Sequence, residues 1–170
     1  GATVGEIMRV VADPDRVLVA EASSRFPRTF GHGDYGHRLH VDQIDVLIES
    51  DREPFLLADA EASEADRAIA DHVASFIVEG STLQTGIGGI PSRVARMLAE
   101  SDLGGFGVHS EMFTTGLMHL HKAGKVTNQK GIYDGVSITT FAAGTRELYD
   151  WLDENTEVAF LPVGIFNSPE

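Results

Sequence analysis

The chain has 170 residues, 42% of them hydrophobic, which is enough for one packed domain or a large part of one. Its 13 basic and 26 acidic residues give a net charge of −13, which argues against nucleic-acid binding because that requires a basic surface. The sequence contains no cysteine, no signal-peptide pattern and no apolar run of membrane-spanning length. We therefore expect no disulfide, no membrane partner and a cytoplasmic location.

Residues 1–62 are predicted to be largely irregular. Two short apolar runs, at residues 16–21 and 46–50, have the composition of strands. The segment between them, residues 23–40, is rich in glycine, histidine and aromatic residues. Long loops in compact domains tend to be functional or disordered, and this one is predicted to be a substrate loop.

Residues 63–170 alternate between strand and helix patterns. Helices are predicted over residues 63–80, 91–100, 111–124 and 145–155, and strands over 81–86, 105–110, 135–144 and 157–163. Ser63 begins the first helix, with Asp66 three residues on, as in a capping box. This order predicts an α/β fold: a Rossmann-like, parallel open sheet with helices on both faces, whose ligands bind at the carboxyl ends of the strands.

The glycine-rich stretch at residues 83–89 connects one of these strands to a helix. Gly86, Gly88 and Gly89 let the backbone turn sharply, and the helix N-terminus directs free N–H groups at the turn. The pattern fits a plain connection as well as a site for a phosphate, a carboxylate or a developing oxyanion. A dinucleotide-binding fingerprint is a further interpretation, but Pro91 stands where its third glycine belongs.

Glu111 lies where the strand at 105–110 is predicted to give way to a helix, so it should share one edge of the sheet with the glycine turn. A carboxylate in the first helical turn is stabilised by about 0.3–1 kcal/mol, and local sequence alone favours this structural role. Two functional roles stay open, as a ribose ligand in a nucleotide site or as a nucleophile that attacks an activated carbonyl. His109 is predicted on the same side of the strand, where it either tunes the glutamate or fills the strand end.

Other side chains are weaker candidates. Arg25 and Arg28 in the long loop are either anchors for a carboxylate or phosphate, or solvated loop charges. Met112 and Phe113 are predicted to face the core, although their position beside Glu111 also suits the wall of a substrate pocket. No metal site is predicted, because metal-ligand spacing is missing among the histidines at positions 32, 37, 40, 119 and 121.

Three stretches in order, at residues 83–98, 107–128 and 135–155, resemble the acetyl-CoA hydrolase/transferase family. They read LQTGIGGIPSRVARML, GVHSEMFTTGLMHLHKAGKVTN and GVSITTFAAGTRELYDWLDEN. The upstream FPRTFGHG and HVDQIDVLIES resemble the segment that precedes the glycine turn in that family. The family includes 4-hydroxybutyrate, butyrate and acetate CoA-transferases.

The resemblance implies that Glu111 is a nucleophile. It would attack an acyl-CoA thioester, form an acyl-glutamyl anhydride and then an enzyme–CoA thioester, which an incoming carboxylate resolves. The residues implied to lie beside the reacting carbonyl and the CoA arm are Gln84, Gly86, Ile87, Gly88 and Gly89. The substrates implied are an acyl-CoA and a small carboxylic acid, with coenzyme A as substrate, no permanently bound cofactor, and a homo-oligomer for the complete enzyme.

Family members carry another domain before this region, and further sheet and a second glycine-rich turn after it. The chain is therefore expected to be a fragment. Residues 1–62 would be an inter-domain or linker region with a substrate loop, and residues 63–170 the first part of a C-terminal CoA-transferase domain. Two alternatives stay open, an acyl-CoA hydrolase that uses the same glutamate and a non-catalytic nucleotide-binding module.

Overall fold

The computed structural model describes residues 1–35, 37–58 and 62–166, and within these ranges the chain forms five α-helices and eight short strands. The helices are α1 Val4–Val11, α2 Glu64–Ala74, α3 Gly89–Glu100, α4 Thr115–Lys122 and α5 Arg146–Leu152. The strands are β1 Val19–Ser23, β2 Val46–Ser50, β3 Thr82–Leu83, β4 Gly107–Val108, β5 Met112–Thr114, β6 Ser137–Thr139, β7 Phe141–Ala143 and β8 Val158–Phe160. Within the described ranges no helix is both long and apolar enough to cross a membrane.

The strands pair in parallel, as the alternating order predicts. β1 pairs with β2, β3 with β4, β5 with β7, and β6 with β8. A parallel bridge between His109 and Ile138 joins β4 to β6, and another joins Phe30 to Ala159 of β8. The central order is therefore β3–β4–β6–β8, and the predicted α/β class with a parallel sheet is confirmed.

The core lies on both faces of this sheet. Val158 and Ala159 are adjacent in β8, so their side chains point to opposite faces, and they belong to two separate buried clusters. Helices α2 to α5 contribute to the cluster of Val158. The cluster of Ala159 includes Ile165 from the short 3-10 helix Val163–Ile165. Helical segments thus cover the two faces unequally.

Local capping explains where α2 begins. The Asp66 N–H donates to Ser63 Oγ at 3.2 Å, and the Ser63 N–H donates to Asp66 Oδ2 at 2.9 Å, which is the predicted capping box. The helix ends at Ala74, whereas the prediction extended it to residue 80. α1 was not predicted from the pattern of residues 1–62, although Glu6 and Arg9 form an i,i+3 ion pair on it.

The segment around Glu111 differs from the prediction. The predicted helix over 111–124 begins only at Thr115, and Met112–Thr114 is strand β5. Pairing with β7, some thirty residues away in sequence, sets this conformation, and a local helical pattern cannot reveal it. Glu111 itself lies at a bend between β4 and β5. The helix-dipole role favoured by local sequence is therefore wrong.

Candidate functional site

The glycine turn lies at the carboxyl end of β3. Its centre is Gly88, whose φ of 122° and ψ of 177° belong to a region that only glycine adopts readily. α3 begins at Gly89, where a Cβ would stand 3.3 Å from the Cα of Ala62 and 3.1 Å from a carboxylate oxygen of Asp66. The turn therefore needs glycine at 88 for backbone conformation and at 89 for close packing.

The first N–H groups of α3 lie at the turn, where the helix itself offers them no acceptor. The Ser92 N–H donates to the Gly88 carbonyl at 3.2 Å and so begins the helical hydrogen-bond pattern. Pro91 has no N–H, and the N–H groups of Gly89 and Ile90 precede the first residue that can find an acceptor inside the helix. These two groups, together with the positive end of α3, suit a carboxylate, a phosphate or a developing oxyanion.

A small recess lies beneath the turn. It has a volume of about 20 Å³, room for roughly one water molecule, and Gly86, Gly88, Ser92, Thr114 and Gly144 are among its lining residues. Gly144 follows β7, so the recess opens at the carboxyl ends of β5 and β7. Ile87 also lines the recess, and both Ile87 and Gln84 are exposed.

A larger apolar cavity begins on the other side of the same turn. Its volume is about 210 Å³, and it runs between α2 and α3. Its lining residues include Gln84 and Gly86 from the turn, and Val73, Ile90 and Val94 from the two helices. The turn is thus bordered by a polar recess and an apolar cavity.

A buried serine links the glycine turn to Glu111. The Thr85 N–H donates to Ser110 Oγ at 3.1 Å, and Ser110 is 0% exposed. Gly86 follows Thr85, and Glu111 follows Ser110. The hydrogen bond therefore joins the residue before the turn to the residue before the glutamate. The predicted shared sheet edge is therefore present. Sequence reasoning missed Ser110, because nothing in the spacing of HSE marks the serine as a link.

Glu111 is half-buried at the bend, and its backbone is firmly held. Its carbonyl oxygen accepts from the Thr140 N–H at 3.0 Å, the Phe141 N–H at 3.3 Å and Thr139 Oγ1 at 3.0 Å. Among the residues that the structure describes, no hydrogen bond or ion pair engages its carboxylate. A fixed backbone with an uncommitted carboxylate suits a reactive group better than a structural ion pair.

His109 bridges β4 to β6 and is partly buried. Its ring packs edge-on against Phe166, with 5.1 Å between ring centroids. Burial, and to a lesser degree the nearby Lys130 ammonium, lowers the pKa of His109, which favours the neutral ring. Because the bend follows directly, strand alternation does not extend to Glu111, and the described contacts pair the ring with Phe166 rather than with the glutamate.

Met112 and Phe113 have different surroundings. Phe113 is 0% exposed and stacks on Trp151 at 5.8 Å, so it belongs to the core and cannot wall an open substrate pocket. Leu117 and Leu120, in the helix that follows, are fully buried as well. Met112, at the start of β5, is only partly buried.

Arg25 and Arg28 lie away from the glycine turn. The Arg28 N–H donates to Asp153 Oδ1 at 2.8 Å, and its guanidinium donates to Glu154 at 3.2 Å, just after α5. Arg25 lines a cavity of about 200 Å³ with Asp150 and Asp153. Phe30 pairs with Ala159, so the residues before it run toward the amino end of β8, opposite to the turn. The structure does not bring these arginines to Glu111.

The histidines do not assemble a metal site in the described part of the chain. No group of three or more His, Asp or Glu side chains there is placed to hold a metal ion. His119 is exposed, whereas the His121 side chain is 6% exposed and lies 2.8 Å from Ser137 Oγ. These opposite surroundings are expected for two residues that are two positions apart on a helix and so lie on different faces.

Comparison with known proteins adds to this geometry. No protein-family model matches the chain. It is 37% identical over 156 residues to the probable butyrate:acetyl-CoA coenzyme A-transferase of Syntrophomonas wolfei, covering 91% of this chain and 34% of that relative. The predicted resemblance to CoA-transferases is confirmed. The chain spans about a third of the length of the curated relatives it matches.

Solved structures agree with the sequence relatives. A crystal structure of 4-hydroxybutyrate CoA-transferase from Porphyromonas gingivalis superposes with a TM-score of 0.79 at 32% identity, covering 90% of this chain and 38% of that one. RipA from Yersinia pestis superposes with a TM-score of 0.82 at 28% identity, covering 90% of this chain and 35% of that one. The CoA-transferase-like chain thus has the fold of one portion of these larger proteins.

Proposed function

We propose that the complete protein is a CoA-transferase, which moves CoA between an acyl-CoA and a small carboxylic acid with Glu111 as nucleophile. The observation that carries this proposal is the Thr85–Ser110 link, since the glycine turn and Glu111 both continue from it. The similarity to named CoA-transferases supports the reaction class. Residues 1–62 would serve as an inter-domain region, and residues 63–170 as the first part of the catalytic domain.

The first half of the reaction forms an anhydride. A carboxylate oxygen of Glu111 attacks the thioester carbon, and the C–S bond breaks to release the CoA thiolate. Negative charge develops on the thioester oxygen during the attack. The N–H groups of Gly89 and Ile90, at the positive end of α3, are the described donors best suited to stabilise it.

The second half transfers CoA. The thiolate attacks the glutamyl carbonyl, the original acid leaves as a carboxylate, and a glutamyl–CoA thioester remains on the enzyme. An incoming carboxylate then attacks this thioester and releases the thiolate, which takes the new acyl group and restores the Glu111 carboxylate. Every step exchanges one acyl–oxygen bond for one acyl–sulfur bond or the reverse, so no oxidant or reductant is needed.

Substitution of Glu111 in the complete protein tests the proposal. Glu111→Gln removes the nucleophile and should lower kcat on the order of 10⁴-fold or more. Glu111→Asp keeps the charge but withdraws it by one methylene, and a displacement near 1 Å costs about 10²-fold. Glu100→Gln, which changes an exposed glutamate at the end of α3, is the matched control and should keep its turnover.

Two results would count against the proposal. Substantial CoA transfer by a folded Glu111→Gln variant would exclude the glutamate as nucleophile. CoA release that needs no acceptor carboxylate would instead identify water as the acyl acceptor, and hence an acyl-CoA hydrolase. A circular dichroism spectrum for each variant separates lost chemistry from lost folding.

A further inference from the structure

Ser110 makes three polar contacts although it is completely buried. Its hydroxyl accepts from the Thr85 N–H at 3.1 Å and lies 3.1 Å from the Thr85 carbonyl and 2.8 Å from the Met112 carbonyl. A hydroxyl has one proton, so it donates to one of these carbonyls at a time while accepting from the amide. One side chain therefore satisfies backbone groups on both sides of the candidate site.

This hydroxyl takes the place of backbone hydrogen bonds between the two strands. The His109 N–H donates to the Leu83 carbonyl at 3.1 Å, which continues the β3–β4 pairing. A regular parallel ladder would next join Thr85 to the backbone of His109 and Glu111. Instead, Thr85 bonds to the side chain of Ser110 through both its N–H and its carbonyl.

The replacement frees the backbone of Glu111. Its carbonyl accepts from Thr140 and Phe141, so the chain bends away from β3 and pairs with the next strand. Ser110 thus lets the two segments diverge and still holds them in register. Without it, the described hydrogen bonds between the two segments would be the ladder that ends at Leu83 and a 3.4 Å contact between Thr85 Oγ1 and Thr114 Oγ1.

We propose that Ser110 is a positioning residue that fixes the glycine-turn N–H groups relative to the Glu111 carboxylate. The inference rests on the proposed function, because its catalytic consequence requires Glu111 to react. Its physical basis is the geometric tolerance of catalysis. A misplacement near 1 Å costs about 10²-fold in rate, and a turn released at Thr85 has this freedom. The hydroxyl itself touches no reacting atom.

Ser110→Ala in the complete protein is the test, with Ser137→Ala as the matched control. Ser137 is equally buried and bonds to His121 and Asn128, but it lies in β6 away from the turn. Ser110→Ala should lower kcat about 10- to 100-fold with little change in KM. Ser137→Ala should cost stability without a comparable loss of kcat. Ser110→Cys fills the same space with a weak acceptor and should shift kcat in the same direction.

Amide hydrogen exchange supplies a readout that does not depend on Glu111 chemistry. Exchange over residues 84–90 should be faster in Ser110→Ala than in wild type or in Ser137→Ala. Wild-type kcat in the Ser110 variants, unchanged exchange over 84–90, or an equal kcat loss in Ser137→Ala would each overturn the inference. Failure of the proposed function would appear separately, as turnover retained by Glu111→Gln.

Discussion

Lowering the pH should destabilise the fold through one buried histidine. The centroid of the His121 ring lies 5.2 Å from that of Trp151 and 5.9 Å from that of Phe113. Its Nε2 is 2.8 Å from Ser137 Oγ. Burial lowers the pKa of His121 from 6.5 to about 4. Glu157 lies 3.8 Å from Nδ1 and opposes this shift, but its side chain is 65% exposed, so solvent screens it and burial dominates.

The sign and size of the effect follow from proton linkage. The unfolded chain binds a proton at this imidazole below pH 6.5, whereas the folded chain does so only near pH 4. The contribution of His121 to the free energy of unfolding is therefore fully present above pH 6.5 and falls as the pH drops between these two values. At pH 5 the imidazole is almost fully protonated in the unfolded chain and about one-tenth protonated in the folded one. The free energy of unfolding should therefore be about 2 kcal/mol lower at pH 5 than at pH 8.

Urea denaturation at a series of pH values measures this loss. His121→Gln keeps a polar group near Ser137 and cannot titrate, so the wild-type curve should fall more steeply than the variant curve between pH 8 and 5 by about 2 kcal/mol. The carboxylates titrate equally in both proteins and cancel in the difference. Parallel curves over this range would refute the argument that His121 is held neutral by burial.

Substituting alanine for glycine should have opposite effects on stability at Gly88 and at Gly5, because their backbone conformations differ. Gly88→Ala forces a side chain into a conformation with φ of 122° and should destabilise the fold by about 1–3 kcal/mol, although its Cβ would meet nothing closer than 3.9 Å. Gly5→Ala lies inside exposed α1 with nothing within 4 Å of its Cβ, and the same substitution there should stabilise by about 0.5–1 kcal/mol. Thermal unfolding of both variants checks the pair, and equal shifts would contradict the strain at Gly88.

Local patterns predicted the elements whose causes are local. The Ser63 capping box, the glycine turn and the alternation that gives parallel strands all depend on residues close in sequence. The break between β4 and β5 was not predicted, because Met112–Thr114 is a strand only through its pairing with Phe141–Ala143. The single strand predicted over 135–144 is likewise divided at Thr140 into β6 and β7. The sequence pattern does not show this division for the same reason.

The candidate site divides in the same way. The shared sheet edge of the glycine turn and Glu111 followed from strand order, and the structure places both there. Tertiary contacts decide the other positions. Arg25 and Arg28 lie far from the turn because their loop packs against the end of α5, and Phe113 lies in the core because it stacks on Trp151. Ser110 could not be recognised from spacing, since its role arises where two strands diverge.

Trapping the enzyme-bound acyl group tests the central claim most directly. The complete protein is incubated with an acyl-CoA, treated with hydroxylamine or borohydride, digested and mapped by mass spectrometry. An anhydride or thioester at Glu111 should convert its carboxylate to a hydroxamate with hydroxylamine, or to an alcohol with borohydride, and only after exposure to the acyl-CoA. An unmodified Glu111 peptide in an enzyme that turns over, or protection by a dinucleotide without any label, would contradict covalent catalysis by Glu111.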